Sequence, residues 1–195
     1  EWAGAVHSWI VSNKVRSGKF TLRDHHFQLP TNDLEGSEMS RFNIGGNQEL
    51  EVYDYPGRYA ARFDGIDAGG GEQSSALQKI FDDRTRTVGI RQQELDVQYK
   101  GSTGTSDSCA MTAGHKFELT SHPDTANNRS HVIVSLRVEA VQSPSYVSDD
   151  NVPGASQTSF STIPQAEGQA PFRPMQRTRT PVVHGSQTAV VLGPA

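Results

Sequence analysis

Residues 114–141 constrain the fold more than any other stretch of the chain. Phe117 and Leu119 alternate with charged or polar neighbours, and Val132, Val134, Leu136 and Val138 repeat the pattern over a longer run. Alternation with a period of two belongs to a strand with one buried and one wet face. Between the runs lies Pro123-Asp124-Thr125-Ala126-Asn127-Asn128, which is turn chemistry. Pro123 has no backbone N–H to donate, so the first strand is expected to end at His122. The stretch therefore reads as an antiparallel pair joined by a longish loop.

The rest of the chain reads as further short strands, loops and one helix. Residues 6–12 and 19–29 are expected strands, and Ser17-Gly18 between them suggests a hairpin that Pro30 terminates. Residues 31–48 are polar, hold Gly36, Gly45 and Gly46, and read as loop. Leu50, Val52 and Tyr53 form a short strand that ends at the Pro56-Gly57 turn. Residues 67–72 are a flexible break. A helix follows, capped by Ser74 or Ser75, with Leu77, Ile80, Phe81, Arg84, Val88 and Leu95 at helical spacing. Gly89 costs it about 1 kcal/mol against alanine, so a stop or kink is expected there. Residues 100–108 read as loop, 143–157 as a mobile Pro, Ser and Asp-rich segment, and 159–163 as a last short strand. Pro164, Pro171, Pro174 and Pro181 mark an extended linker, and residues 182–192 open a new strand system. A terminal strand with no partner implies that the chain is a piece of a longer protein.

Size and charge exclude some classes. At 195 residues the chain suffices for one good-sized domain or two small ones. Its net charge of −4, with both signs interspersed, provides no basic stripe for nucleic acid. The longest apolar run is far too short to span a bilayer, and residues 1–20 lack the pattern of a secretory signal. The single cysteine, Cys109, rules out an internal disulfide and fits folding in a reducing compartment.

No set of residues converges on a reaction. His25 and His26 are adjacent on an expected surface strand, so they point to opposite faces and cannot easily share a metal. Asp124 beside His122 and Pro123 is better explained as a turn residue than as half of a proteolytic pair, and the serines lack a nucleophile elbow. Asp64, Asp67, Glu72, Asp82 and Asp83 are acids of the right type for sugar cleavage, but scattered acids usually form a solvated face. Gly69-Gly70-Gly71 lacks the Lys-Ser/Thr close of a phosphate loop and reads as a joint. Cys109 is expected to be a small buried residue rather than a nucleophile. No catalytic, cofactor-binding or metal-binding residue is assigned, and no cofactor or small-molecule substrate is expected.

Four strings carry a resemblance to a known family. They are residues 53–59 (Tyr-Asp-Tyr-Pro-Gly-Arg-Tyr), residues 114–123 (Gly-His-Lys-Phe-Glu-Leu-Thr-Ser-His-Pro), Ser159-Phe160 with Ile163-Pro164 and then Phe172-Arg173-Pro174, and residues 181–194 (Pro-Val-Val-His-Gly-Ser-Gln-Thr-Ala-Val-Val-Leu-Gly-Pro). In this order and at these distances they resemble the VgrG family, the spike proteins of type VI secretion systems. The resemblance covers nearly the whole chain and is weakest over residues 60–108.

The resemblance implies a mainly β protein with minor helix, similar to a contractile-phage baseplate hub fused to a spike. It implies that residues 1–30 and 105–164 are two parts of a tube-like β-barrel. Residues 31–104 would be an insertion into it with one helix. Residues 165–181 would be a linker, and residues 182–195 the first strand of a small barrel of the oligonucleotide/oligosaccharide-binding type. It further implies a homotrimer seated on the hexameric Hcp tube, with a PAAR tip protein and effectors held by regions outside this chain. Such a protein would assemble in the bacterial cytoplasm and be driven out by sheath contraction to puncture a target membrane. The family lends no catalytic residue to these positions. Two other readings stand beside it: a cell-wall hydrolase of the phage-tail kind, and a carbohydrate-binding β-domain with Trp2, Trp9, Tyr53 and Tyr55 as its platform.

Overall fold

The computed structural model describes residues 4–63, 77–140, 156–165, 171–179 and 181–188. They form eight strands and one helix: β1 (Val6–Asn13), β2 (Lys19–Arg23), β3 (Glu35–Met39), β4 (Glu51–Asp54), α1 (Lys79–Asp96), β5 (Lys100–Ser106), β6 (Lys116–Glu118), β7 (Ser130–Ala140) and β8 (Ser156–Pro164). A five-stranded antiparallel sheet runs in the order β1-β5-β8-β7-β6. A second sheet runs β3-β2-β4, with β3 antiparallel and β4 parallel to β2. The fold is mainly β with one helix, as expected.

The pair read from residues 114–141 forms as β6 and β7, with a 3-10 turn at Thr125–Asn127 between them. Asp124 caps that turn, its carboxylate accepting from the Ala126 N–H at 3.0 Å and from Asn127 Nδ2 at 3.1 Å. Before a bulge the face that β7 buries differs from the expected one, while beyond it Leu136 lies opposite the buried Phe160 as the alternation expects. His131 and Ile133 are buried, while Val134 and Val138 are exposed. A bulge between Ile133 and Ser135 resets the register, so one residue more lies on β7 than on β8. Such an insertion swaps the faces, and alternation cannot run unbroken through it.

The expected hairpin of the first two strands does not form: β1 pairs with β5, and β2 lies in the other sheet. Phe20, Thr21 and Leu22 are buried consecutively, which suits a central strand with neighbours on both sides. Gly18 serves a close approach rather than a hairpin turn. A Cβ there would lie 2.8 Å from the Asn47 carbonyl, which accepts the Gly18 N–H at 2.8 Å. The second strand also stops at Arg23, short of residue 29. Two segments read as loop are strands. β3, Glu-Gly-Ser-Glu-Met, and β5, Lys-Gly-Ser-Thr-Gly-Thr-Ser, carry almost no apolar residues, so alternation is silent on them.

The main apolar core lies between α1 and the three-stranded sheet. It gathers Phe20, Leu22, Leu34, Tyr59, Ala60, Ile80 and Val88, with Leu77, Phe81 and Leu95 packed at its margin. Each large aliphatic chain buried there contributes about 1.5–3 kcal/mol. Tyr59 donates its hydroxyl to the Leu34 carbonyl, and burial pushes its pKa up to about 12. The C-terminal half of α1 docks differently, through polar groups. Asp96 accepts from Ser40 Oγ at 2.7 Å and from Gln92 Nε2 at 2.9 Å, all three residues being buried. The helix runs unbroken through Gly89, contrary to the expected stop, because packing on both sides of that position holds it. The expected serine caps fall outside the described residues.

Residues 171–179 carry no regular secondary structure and lie along α1. Arg173 Nε donates to Gln93 Oε1 at 2.9 Å, and Arg91 donates to Gln176. Residues 181–188 form no strand, and the rest of the strand expected over 182–192 lies outside the described residues.

No neighbouring atom lies within 4 Å of a Cβ built at Gly89. Gly89→Ala is therefore expected to stabilise the protein by about 1 kcal/mol, read as a higher denaturant midpoint with unchanged slope.

Candidate assembly surface

Cross-strand register sorts the five-stranded sheet into two unlike faces. On one, Trp9, Gly104, Phe160 and Leu136 stand in a row across β1, β5, β8 and β7. The next row on that face is Val11, Ser102, Thr162 and Ile133. Ser102, Ser106, Thr158, Phe160, Thr162 and Ile133 are all buried. On the other face, Ile10, Thr103, Ser161 and Ser135 form one row, and Ser8, Thr105, Ser159 and Arg137 another. This second face is exposed or half-exposed and mostly hydroxyl-bearing. Ser8 Oγ and Thr105 Oγ1 share a hydrogen bond across the strands at 2.8 Å.

The buried face curls around a cluster of rings. Trp9 meets His131 edge-on with ring centres 4.8 Å apart, Phe117 at 6.3 Å and Phe160 at 6.1 Å. His131 stacks on Phe117 at 5.8 Å, and Phe117 meets Phe160 edge-on at 5.7 Å. These are favourable aromatic distances, each pair adding about 0.5–1.5 kcal/mol beyond area. Trp9 belongs to one edge strand and Phe117 to the other. The two edges of the sheet are thus drawn together by side chains, while β1 and β6 share no hydrogen-bonded ladder among the described residues. A cleft remains between them, lined by Val6 and Ser8 on one side and Lys116, Glu118 and Leu119 on the other.

His131 sits at the centre of the cluster, 2% exposed, with Nε2 3.2 Å from the Asn127 carbonyl and Nδ1 without a partner. Burial holds its pKa below the ordinary value, and Arg129 and Lys100 push the same way against the pull of the Asn127 carbonyl.

The residues weighed as chemical candidates are dispersed. His26 is buried against Phe27 and His25 is exposed; both lie past the end of β2, so the expected surface-strand setting is not the observed one. His122 Nδ1 accepts from the Asp124 N–H at 3.0 Å, so this pair builds a turn. Asp83 is held by Arg62, with Arg86 at 3.7 Å, and is not free to pair with Asp82. Cys109 is exposed rather than buried, because it falls in a turn after β5, 3.2 Å from Ser156 Oγ. Asp64, Asp67, Glu72, Gly69-Gly70-Gly71 and Trp2 lie outside the described residues. Trp9 is taken up by the ring cluster, while Tyr53 and Tyr55 are exposed. Sequence reading missed β5, though small Ser102, Gly104 and Ser106 alternating with Thr103 and Thr105 is a period-two signal in size rather than in hydrophobicity.

The family model for the phage tail baseplate hub (GPD) matches residues 2–144. The chain is 34% identical to the type VI secretion system spike protein VgrG1c of Pseudomonas aeruginosa, over 95% of this chain and 22% of that protein. It is 30% identical to VgrG1b of the same organism, over 96% of this chain and 22% of that protein. The chain thus spans about a fifth of the length of these relatives. Among solved structures, a 43 kDa tail protein of prophage MuSo2 from Shewanella oneidensis aligns with 82% of this chain and 40% of its own, with a TM-score of 0.45 and 10% identity.

Two outcomes are expected at the cluster. A Cβ on Gly104 would lie 2.6 Å from the Ser8 carbonyl oxygen and 2.8 Å from the Phe160 ring. Gly104→Ala should cost about 1–3 kcal/mol in chemical denaturation. The control Gly101→Ala, which meets only the Thr162 carbonyl at 3.5 Å, should cost less. His131 is depressed in the folded state, so its contribution is present above pH ~6.5 and is lost as pH falls below it. A pH series of denaturant midpoints should decline below that point in the parent and flatten in His131→Phe.

Proposed function

This chain belongs to the phage tail baseplate hub family and is similar to type VI secretion spike proteins over 95% of its length, and on that premise we propose that it is part of the structural hub of a type VI secretion spike. One observation carries the reading beyond kinship: a curled sheet with two edges that no strand covers among the described residues, and one hydroxyl-lined face. Unpaired edges invite association, and neighbouring copies that cover them convert a hazard into an interface.

In this reading three copies form a ring that seats on the hexameric Hcp tube and joins it to a threefold point. The sheet serves as wall, and its value lies in stiffness and shape. Regions beyond this chain hold the PAAR tip protein and effectors. Assembly takes place in the bacterial cytoplasm, and sheath contraction then drives the spike through a target membrane. Residues 1–30 and 105–164 make up the tube-like barrel, 31–104 the insertion, 165–181 the linker and 182–195 the start of the small barrel. Both ends of the proposed insertion move back, to take in β2, which pairs with β3 and β4, and to leave out β5, which pairs with β1 and β8.

The role is non-enzymatic in this reading. Groups that chemistry would need are engaged in holding the fold: Asp83 with Arg62, Asp124 with a turn, His131 within the rings.

The test uses the chain extended through the regions that its relatives carry. Sedimentation and native mass spectrometry should give a trimer that co-sediments with Hcp rings. A strict monomer at high concentration, or turnover of peptidoglycan, would overturn the proposal.

A further inference from the structure

The two edges of the larger sheet meet through rings, and one of those rings titrates. Phe117 lies directly opposite His131 in the β6–β7 register, and the two rings stack at 28°. Trp9 of β1 meets the same His131 at 75°, with ring centres 4.8 Å apart. His131 thus touches both edge strands, and the seam runs Trp9–His131–Phe117. No backbone ladder joins β1 to β6 among the described residues. The cleft over the seam has a volume of about 660 Å³ and reaches Trp9, Phe117 and Ile133, so water has a path to the rings.

The hydrogen-bonding of the seam suits a neutral imidazole. A carbonyl only accepts, so the contact of Nε2 with the Asn127 oxygen at 3.2 Å puts the ring proton on Nε2 and leaves Nδ1 an acceptor. Nδ1 is shut off from solvent without a partner among the described residues, and so is Trp9 Nε1–H, which only donates. Donor and acceptor match while His131 is neutral. A second proton turns Nδ1 into a donor, and the match is lost. Little around the ring would hold the charge. Burial disfavours it most, the cations Arg129 and Lys100 add to that, and only the Asn127 carbonyl favours it. Strand β8 has no titratable side chain. On β1, His7 is exposed and 3.6 Å from Asp107. On β6, Lys116 and Glu118 flank Phe117, are exposed and take the opposite face. Asp124 in the adjoining turn is engaged by the Ala126 N–H and Asn127 Nδ2. Farther along β7, Arg137 pairs with Glu139 at 2.7 Å.

We propose that His131 is an acid-released latch on this seam: neutral, it holds β1 and β6 together, and protonated, it turns toward water in the cleft and lets both edges go. The open seam takes up the proton more readily than the closed one. The seam is therefore closed above about pH 6.5 and opens as pH falls below it. Once released, β6 has only its three-residue ladder with β7 to hold it. The opening is local, because the aliphatic core around α1 shares no residue with the ring cluster. Released edges present strand backbone that another chain can pair with. The latch is distinct from the loss of overall stability expected at acid pH, and it requires no assembly of copies.

Backbone hydrogen exchange, corrected for the intrinsic effect of pH on exchange, tests the latch between about pH 7.5 and about pH 5. Protection in β1 and β6 should fall about tenfold per pH unit below about pH 6.5, one proton being taken up on opening, while protection in α1 stays level. The fall should be absent from His131→Phe, which keeps a ring, and from His131→Gln, which keeps a donor for the Asn127 carbonyl. Both variants retain the exposed His7, His115 and His122, so they separate His131 from those groups. Level protection of β1 and β6 in the parent would overturn the proposal. So would the same fall in either variant. An equal fall in α1 would overturn it as well, since the whole fold would then open at once.

Discussion

The five-stranded sheet depends on a missing Cβ. At Gly104 the central part of β5 passes the Ser8 carbonyl and the Phe160 ring at distances that no side chain could share. That space lets Phe160 turn toward Trp9 and Phe117, and the ring cluster then draws β1 and β6 toward each other. Ser102 and Ser106 extend the same small-residue stripe along β5. Curvature here comes from an alternation of size across the sheet, with rings above β1, β6, β7 and β8 and almost nothing above β5. Open edges and an exposed hydroxyl face follow from that curvature.

The two halves of the chain are held by different physics. Around α1, aliphatic burial supplies the stability, and the polar cluster of Gln92, Asp96 and Ser40 sets how the helix end meets the strands. In the larger sheet the buried face is mixed: aromatic rings, with the hydroxyls of Thr158 and Thr162, each bonded to a carbonyl, on either side of Phe160 along β8. Buried hydroxyls that find carbonyl partners cost little and hold register. Such a sheet suits the structural role proposed for it.

Family membership and this architecture bear on one another. In the role proposed, the chain must present edges and faces to copies of itself. The outer edges of β1 and β6 carry no further strand among the described residues. Each is an unfinished surface in a single copy. In that role they are where contacts between chains would form.

Much of this was legible in the residues. The alternation around Phe117 and the turn chemistry of residues 123–128 specified the β6–β7 pair, the spacing from Leu77 to Leu95 specified the helix, and the four strings specified the family. What stayed hidden has a common cause. β3 and β5 are made of small or charged residues that become strands only because neighbours bond to them, and β-propensity is mostly a property of such neighbours. The bulge after Ile133 put the buried face of β7 out of step with the alternation on its N-terminal side, and the central place of β2 cancelled the hairpin. Local pattern determined which segments are extended or helical, because backbone geometry sets those periods within a few residues. Partner choice, edge, face and the place of Gly104 were decided only in three dimensions, because they depend on distances between residues up to about a hundred positions apart in sequence, as between Ser8 and Thr105.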